Sequence, residues 1–226
     1  MNPFGKATVR PLQADRSPGI FGFSPKQKRL LWYTFGSFAL AGAGIGIYLY
    51  IAGAPQRAQQ QFEEAMRLMK PGNYALAIQG FDRALQTWPG LAEGYLERGN
   101  AKHVLGRDDD ALADFQKAAD LNPGLYRAYA AVGAIYRERH QYQRAMEAYS
   151  RSISAKPNLD AFYERGQTFE ALGEHQKAIE DYDRAILELP DAPAVYRARG
   201  LARRNLGDEP GYQSDRDTAD RIEHRN

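Results

Sequence analysis

The side chains that could carry out chemistry are few, and they lie far apart along this chain. No cysteine is present among its 226 residues, so a catalytic thiolate and a cysteine-bound metal are excluded. The histidines lack the spacing of a metal site: His103, His140, His175 and His224. No pair of carboxylates stands out from the other charged residues as a general acid and base. We therefore expect no enzymatic activity, no metal and no cofactor.

Two short motifs superficially resemble ligand sites. The acidic cluster Asp108–Asp110 lacks the other ligands of a calcium loop. Three carboxylates are also favourable in the first turn of a helix, because they face the positive end of its dipole. The glycines Gly42, Gly44 and Gly46 follow no predicted strand, and no further glycine stands at the spacing of a nucleotide-binding loop. We predict a helix start at the acidic cluster and no nucleotide site.

The acidic cluster lies within a larger pattern of small, aromatic and proline residues. This pattern recurs about every 34 residues from residue 58 onward. Each of the first four units has a small residue, an alanine, an aromatic residue, a second small residue and a proline, in that order, and the fifth begins with the small residue Gly200 and then departs from the pattern. In the second unit the repeating residues are Gly99, Ala111, Phe115, Ala118 and Pro123. A period of this length indicates stacked supersecondary units that bury their apolar faces against their neighbours. Such stacks are typical of binding proteins.

Each unit contains two stretches with apolar and small residues at helical spacing. In the second unit we predict helix A over about 91–104 and helix B over about 107–120. A residue suited to the left-handed C′ position separates the two helices of each unit: Gly72, Gly106, His140, Gly173 and Gly207. A proline ends helix B in four units: Pro89, Pro123, Pro157 and Pro190.

This pattern resembles the tetratricopeptide repeat family. The five units are residues 58–91, 92–125, 126–158, 159–192 and 193–226. The agreement with the family pattern is loose in the first unit, close in the next three, and lost in the polar second half of the last. The resemblance implies an all-α fold over 55–226, a right-handed solenoid of antiparallel helix pairs with about five repeats. The last unit is then a capping repeat, whose polar outer face keeps the end of the stack soluble.

The resemblance also implies a partner site in the concave groove lined by the A helices. Its positions correspond to Phe62, Met66, Met69, Leu96, Asn100, Arg127, Arg137, Tyr163, Gln167, Arg197 and Arg204. A helix or an extended peptide with apolar anchors and a few charges would suit this mixed surface. Some family members hold a C-terminal carboxylate with clustered Lys, Arg and Asn residues. The matching places here are Phe62, Met66, Glu97, Arg127 and Ala131, so we expect no such clamp.

Residues 30–54 carry no charge and exceed the roughly 20 apolar residues that a membrane-spanning helix needs. Trp32 and Tyr33 at one end and Tyr48 and Tyr50 at the other resemble interfacial aromatic belts. We predict a single transmembrane helix. The alternative is a cleaved signal peptide ending at the Ala-Gly-Ala sequence of residues 52–54, but the apolar stretch is long for that role.

The tail at residues 1–29 carries six basic residues against one acidic residue. By the positive-inside rule, this charge keeps the tail in the cytoplasm and places the repeats in the periplasm of a bacterium, or across an organelle membrane in a eukaryote. Gly42 and Gly46 form a GxxxG pair that could pack on another transmembrane helix. Three apolar residues of the tail could dock on a partner or on the membrane surface: Ile20, Phe21 and Phe23.

Three functions remain open at this point. The first is a membrane-anchored scaffold or adaptor that mediates protein–protein interaction during assembly or stabilisation of a membrane or envelope complex. The second is a stoichiometric structural subunit of such a complex, held through its transmembrane helix and tail. The third is a periplasmic chaperone-like holdase. Because residues 30–226 carry a net charge of −3, the remainder after the +5 of the tail, we expect no nucleic-acid partner, and we expect no small-molecule substrate.

Overall fold

The computed structural model describes residues 53–224, which fold into ten α-helices joined by short turns. Odd-numbered helices are the A helices of the repeats and even-numbered helices are the B helices. Their bounds are α1 (Ala54–Arg67), α2 (Tyr74–Thr87), α3 (Ala92–Val104), α4 (Asp108–Leu121), α5 (Tyr126–Glu138), α6 (Tyr142–Ala155), α7 (Leu159–Ala171), α8 (His175–Glu188), α9 (Pro193–Asn205) and α10 (Glu209–Glu223).

Several sequence predictions fall outside the described residues. They are the tail at 1–29 with Ile20, Phe21 and Phe23, and the predicted span at 30–54 except for its last two residues, including Gly42 and Gly46. Over residues 53–224, no helix combines the length and the apolar character that crossing a membrane requires.

The turns between paired helices have the backbone conformation that the sequence predicts. Gly72 has a positive φ of 87°, but it lies beyond Leu68, the C-cap of α1, in the turn that the Asn73 N–H closes onto the Lys70 carbonyl. The other four residues occupy the C′ position with positive φ, at 73° for Gly106, 57° for His140, 74° for Gly173 and 83° for Gly207. At the end of α3, for example, the Gly106 N–H donates to the carbonyl of His103 at 2.8 Å. These residues satisfy carbonyls that the helix end would leave free, and they turn the chain back on itself.

In the second, third and fourth repeats, a glycine of the A helix lies directly against an aromatic ring of the B helix. A Cβ added at Gly99 would come within 2.6 Å of the Phe115 ring, and one at Gly133 within 2.7 Å of the Tyr149 ring. Both rings are 1% exposed. The glycine therefore allows the helix axes to approach closely enough to enclose the ring, which explains the small residue in the repeating pattern.

Between repeats, each B helix packs on the A helix that follows it. The A helices of adjacent repeats also contact one another from α3 to α9, whereas adjacent B helices stand farther apart. The A helices therefore line the inner, concave face of the stack, and the B helices form its outer face.

The stack ends in a polar helix. Asp208 caps α10, accepting a hydrogen bond from the Gly211 N–H at 2.9 Å, and Pro210 lies in the first turn, as the sequence predicts. The buried residues of α10 are Asp215, Ala219 and Ile222. The rest of this helix can face water, as expected of a capping repeat.

An ionic contact joins the outer helices of neighbouring repeats. Arg98 on α3 bonds to Asp82 on α2 and to Asp114 on α4, each sixteen residues away. Arg199 makes the same contacts with Asp183 and Asp215. We call this arrangement the arginine clamp. In it, an arginine of an A helix bridges the B helix of the preceding repeat and the B helix of its own repeat.

The fourth repeat has the clamp in a modified form, and the third repeat has none. Arg165 bonds to Asp181 on α8 but reaches Ser150, at 2.9 Å, on the preceding B helix. In the third repeat the arginine position is occupied by Val132, and the two partner positions by Gln116 and Ala148. The joint between the second and third repeats therefore has no guanidinium bridge between α4 and α6, unlike the neighbouring joints.

Candidate partner-binding groove

The concave face contains a pocket of about 490 Å³ between α7 and α9. Apolar groups contributed by Tyr163, Ala198 and Leu201 form much of its lining, and Leu201 is 43% exposed. Polar groups at its edge come from Gln167, Glu170 and Arg197. A second depression of about 310 Å³ between α9 and α10 shares Arg197 and Leu201 with it. The two recesses together extend the groove to the capping helix.

The shape of the pocket follows from residue size on the two A helices. Ala194 and Ala198 on α9 are one turn apart and too short to reach α7, so a gap remains between these helices. The Tyr163 ring closes one side and lies 5.9 Å from the ring of Tyr182, which comes from the B helix beneath. The pocket therefore offers aromatic and aliphatic surface to an inserted side chain.

The tyrosine at the floor of this pocket stays uncharged. Burial raises the pKa of the Tyr182 phenol well above its usual value, and the nearby carboxylate of Glu170 raises it further. Because the phenol remains protonated at neutral pH, the floor does not repel an apolar side chain by its charge.

The arginines predicted to line the groove are engaged within the chain. Arg127 on α5 bonds to Glu93 at 2.6 Å and to Glu97 at 3.2 Å, both on α3. Arg137 pairs with Glu164 on α7 at 2.7 Å. These pairs connect A helices of adjacent repeats across the groove, so they reduce the positive charge available to an acidic ligand.

The two basic residues near the end of the groove are engaged as well. Arg197 pairs with Glu223 of α10 at 2.5 Å, and the Arg204 guanidinium lies 4.8 Å from the centre of the Tyr212 ring. With three groove arginines in ion pairs and Arg204 over an aromatic ring, the geometry favours a ligand recognised through apolar anchors over one recognised through a carboxylate group.

The predicted groove residues do not all lie together. Tyr163, Gln167 and Arg197 meet in the pocket between α7 and α9. Asn100 donates a hydrogen bond to Glu97 at 2.9 Å on α3. The prediction that Leu96 lines the groove was wrong. Leu96 is 1% exposed and belongs to the core of the second repeat, so it offers no surface to a partner.

The first repeat contributes less to the groove than the sequence suggests. Phe62 and Met69 pack against the core formed by Ala65 and Phe81, and the Phe62 and Phe81 rings lie 5.7 Å apart. Met66 is the exposed one of the three, at 38%. Sequence reasoning also missed the part played by Tyr182, which the repeat pattern identifies only as a core aromatic of a B helix.

The acidic cluster begins a helix, as predicted. Its three carboxylates lie in the first turn of α4, and Asp108 bonds to the His103 ring at 2.8 Å. This hydrogen bond lowers the pKa of Asp108. Over the described part of the chain, no group of three or more histidine or acidic side chains could hold a metal ion.

The helix pairs, their A–B turns and the concave groove define a helical-repeat protein of the class that binds other proteins. Family models described as tetratricopeptide repeat match residues 62–126, 126–159 and 159–191, which together exceed half of the chain. The chain belongs to the tetratricopeptide repeat family.

Known proteins share these repeats. The small glutamine-rich tetratricopeptide repeat-containing protein 2 of Mycosarcoma maydis is 26% identical over 45% of this chain and 29% of its own length. This chain thus spans less than a third of that relative. A crystal structure of MamA matches with a TM-score of 0.63 and 27% identity, over 68% of this chain and 91% of that one. PilW, a type IV pilus biogenesis factor, shares the fold, with a TM-score of 0.65 and 17% identity over 75% and 79%.

Proposed function

We propose that this protein is a scaffold that binds a segment of another protein in the groove between α7 and α9 and holds it at a membrane. The observation that carries the proposal is the recess of about 490 Å³ between these two helices, where Tyr163 and Leu201 offer apolar surface beside the Gln167 amide. Exposed apolar groups in a concavity are costly in water and gain free energy when a partner covers them.

The chemistry of the recess supports a ligand of a particular kind. A helix or extended segment with one or two large apolar side chains would fill it, and the Gln167 amide can exchange hydrogen bonds with the ligand backbone. Because Arg197 is paired with Glu223, the ligand does not need an acidic group. We expect no reaction to be catalysed.

Photo-crosslinking tests the groove. A photoreactive amino acid at position 167 of the full chain should crosslink to a partner in native membranes, and mass spectrometry would identify that partner. Leu201→Glu should reduce the crosslink at least fivefold, because it places a charge in the apolar recess. The matched control is Leu187→Glu, since Leu187 is 72% exposed on the B helix α8. Equal crosslinking with Leu201→Glu would contradict the proposal.

We further propose that residues 30–54 anchor the protein in the membrane, with the tail in the cytoplasm and the repeats in the periplasm of a bacterium. The charge-free segment and the basic residues that precede it support this orientation. Protease protection in intact spheroplasts tests it: periplasmic repeats should be digested from outside, whereas cytoplasmic repeats would be protected and would overturn the orientation.

The same segment favours a second candidate, a structural subunit held in a membrane complex through Gly42, Gly46 and the tail residues near Phe21. Pull-downs in mild detergent, comparing the full chain with a form that starts near Arg57, separate the two. Recovery of the same partners by both forms favours the groove. Recovery by the full chain alone favours the anchor.

A further inference from the structure

A different recess opens on the outer face of the third repeat, in the cleft between α4 and α6. It has a volume of about 210 Å³. Its floor contains the buried side chains of Phe115 and Ala148, and its walls contain the half-buried side chains of Tyr129, Val132 and Tyr136. The cleft lies between two B helices, so it is separate from the concave groove.

This recess exists because the third repeat lacks the arginine clamp. Val132 lies where the neighbouring repeats have Arg98 and Arg165, whose side chains are only 18% and 21% exposed. Ala148 likewise replaces a buried aspartate. In the neighbouring repeats the guanidinium and its carboxylates fill the corresponding space, whereas the short apolar side chains of the third repeat leave it empty.

The rim of the cleft carries more positive than negative charge. Arg144 and Arg151 face one carboxylate, that of Glu147. The Arg144 guanidinium is 5.6 Å from the centre of the Tyr136 ring and donates to Gln141 at 3.1 Å. Within residues 53–224, neither Arg151 nor Glu147 has an ion pair or a hydrogen bond through its side chain. Arg151 is therefore a cation that lies at the edge of an apolar recess and has no partner among the described residues.

The recess continues along the cleft. A depression of about 390 Å³ shares Tyr129 and Arg151 with it and is bordered by Pro123 and Ser154. An occupant can therefore extend past Arg151 along α6. The cleft suits a short length of chain with more than one contact.

We propose that the cleft between α4 and α6 is a second docking site, for a partner segment that inserts one aromatic side chain against Tyr129, Val132 and Tyr136 and places an acidic residue beside Arg151. An aromatic ring matches the two tyrosines at the walls, and a carboxylate matches the unpaired guanidinium.

The test uses the full chain in detergent micelles and a fluorescent ten-residue peptide with one tryptophan flanked by aspartate and glutamate. We expect the peptide to bind in an anisotropy titration, and we expect the same peptide with alanine in place of tryptophan to lose at least tenfold in affinity. The combined change Val132→Arg, Gln116→Asp and Ala148→Asp introduces into the cleft the arginine clamp of the second repeat. It should weaken binding at least tenfold, because the guanidinium would fill the recess.

A matched pair of charge reversals tests the acidic contact. Arg151→Glu should weaken binding about tenfold, which corresponds to one strong charge-assisted contact. Arg184→Glu, at the equivalent position of the exposed face of α8, should change it less than twofold. Circular dichroism and crosslinking from position 167 check that each variant keeps its helices and its concave groove.

Three results would overturn the proposal. The first is failure of the tryptophan peptide to bind at about 1 mM. The second is equal binding by the variant with the clamp restored. The third is that light scattering gives the variant with the clamp restored a lower protein mass than the unaltered chain, while the peptide binds both equally. This last result would identify the cleft as an interface between copies of the chain.

Discussion

The second and third repeats are built alike and joined differently. In both, a glycine of the A helix lies against a buried aromatic ring of the B helix, Gly99 against Phe115 and Gly133 against Tyr149. At the outer face, however, Arg98 bridges two carboxylates in the second repeat, and Val132 makes no polar contact in the third. Packing inside a repeat therefore follows one rule, whereas the joint between outer helices can vary.

Physical chemistry explains why the joint can vary. A buried ion pair gains Coulomb energy but loses the hydration of both ions, so replacing the whole pair with apolar residues is often nearly neutral. Removing only one partner leaves a buried charge without compensation, which is costly. The third repeat has neither the arginine nor the aspartates. All three charged residues of the clamp are replaced there by uncharged ones, so no buried charge is left without a partner.

Breaking the clamp from one side should have the largest effect. Asp181 is 7% exposed through its side chain and accepts two hydrogen bonds from Arg165 at 2.7 Å. Arg165→Met should lower the free energy of unfolding by about 3–5 kcal/mol, measured by urea titration with circular dichroism. The double variant Arg165→Met/Asp181→Ala, which imitates the third repeat, should recover most of this loss. Equal losses in the single and double variants would refute the explanation.

Filling the glycine contact should have a smaller effect, equal in the two repeats. A methyl group at Gly99 or Gly133 would meet an aromatic ring at 2.6 or 2.7 Å. Gly99→Ala and Gly133→Ala should each cost about 1–3 kcal/mol of unfolding free energy, as overpacking does. Gln143→Ala, on the exposed face of α6, is the control and should change it by less than about 0.5 kcal/mol. A large difference between the glycine variants would show that packing inside the repeats also differs.

Completing the clamp in the third repeat should change stability little. The combined change Val132→Arg, Gln116→Asp and Ala148→Asp supplies every partner at once, so we expect the free energy of unfolding to change by no more than about 1–2 kcal/mol. Urea titration beside the unaltered chain measures it. A loss of 4 kcal/mol or more, far beyond this range, would show that the third joint is specifically shaped for apolar contact.

The smallest effect concerns alkaline titration of the buried tyrosines. Burial raises the pKa of Tyr149 to about 12, although the guanidinium of Arg137 partly opposes this rise. Burial raises the pKa of Tyr182 as well, and its neighbours, Glu170 first among them, raise it further instead of opposing the rise. A raised pKa in the folded state means that this contribution to stability is present below pH 10 and lost as the pH rises towards 12.

Absorbance at 295 nm after a rapid pH jump would follow phenolate formation before the chain unfolds. Tyr149→Phe should remove a titration step near pH 12, and Tyr182→Phe should remove the last step. Titration of all fourteen tyrosines together near pH 10 in the folded chain would contradict this expectation.

The sequence was sufficient for those features that depend on local rules. Gly106 and His140 were expected to adopt positive φ, and they do, because a turn of this kind leaves few alternatives. The groove was harder to predict. The position of Leu96 in the repeat did not reveal that neighbouring helices bury it, and nothing in the residue type of Arg127 shows that Glu93 and Glu97 engage it.

Some of what sequence reasoning missed was nevertheless readable. Arginines at 98, 165 and 199 are each followed sixteen residues later by an aspartate, and the exception at Val132 and Ala148 is visible in the same register. The recess between α4 and α6 could not be read this way, because its volume depends on how far apart the two helices stand.

The missing clamp also has a mechanical consequence. At the joint between the second and third repeats, bonds from Arg127 to Glu93 and Glu97 tie the inner side, and Arg139 ties the start of α4 through Asp109 at 2.8 Å. Farther along the outer face, no guanidinium joins Gln116 on α4 to Ala148 on α6. Hydrogen bonds fix an angle between helices, and apolar contacts let them slide. Bending of the stack should therefore concentrate at this joint, with α3, α5 and the start of α4 as the pivot and the later turns of α4 moving away from α6.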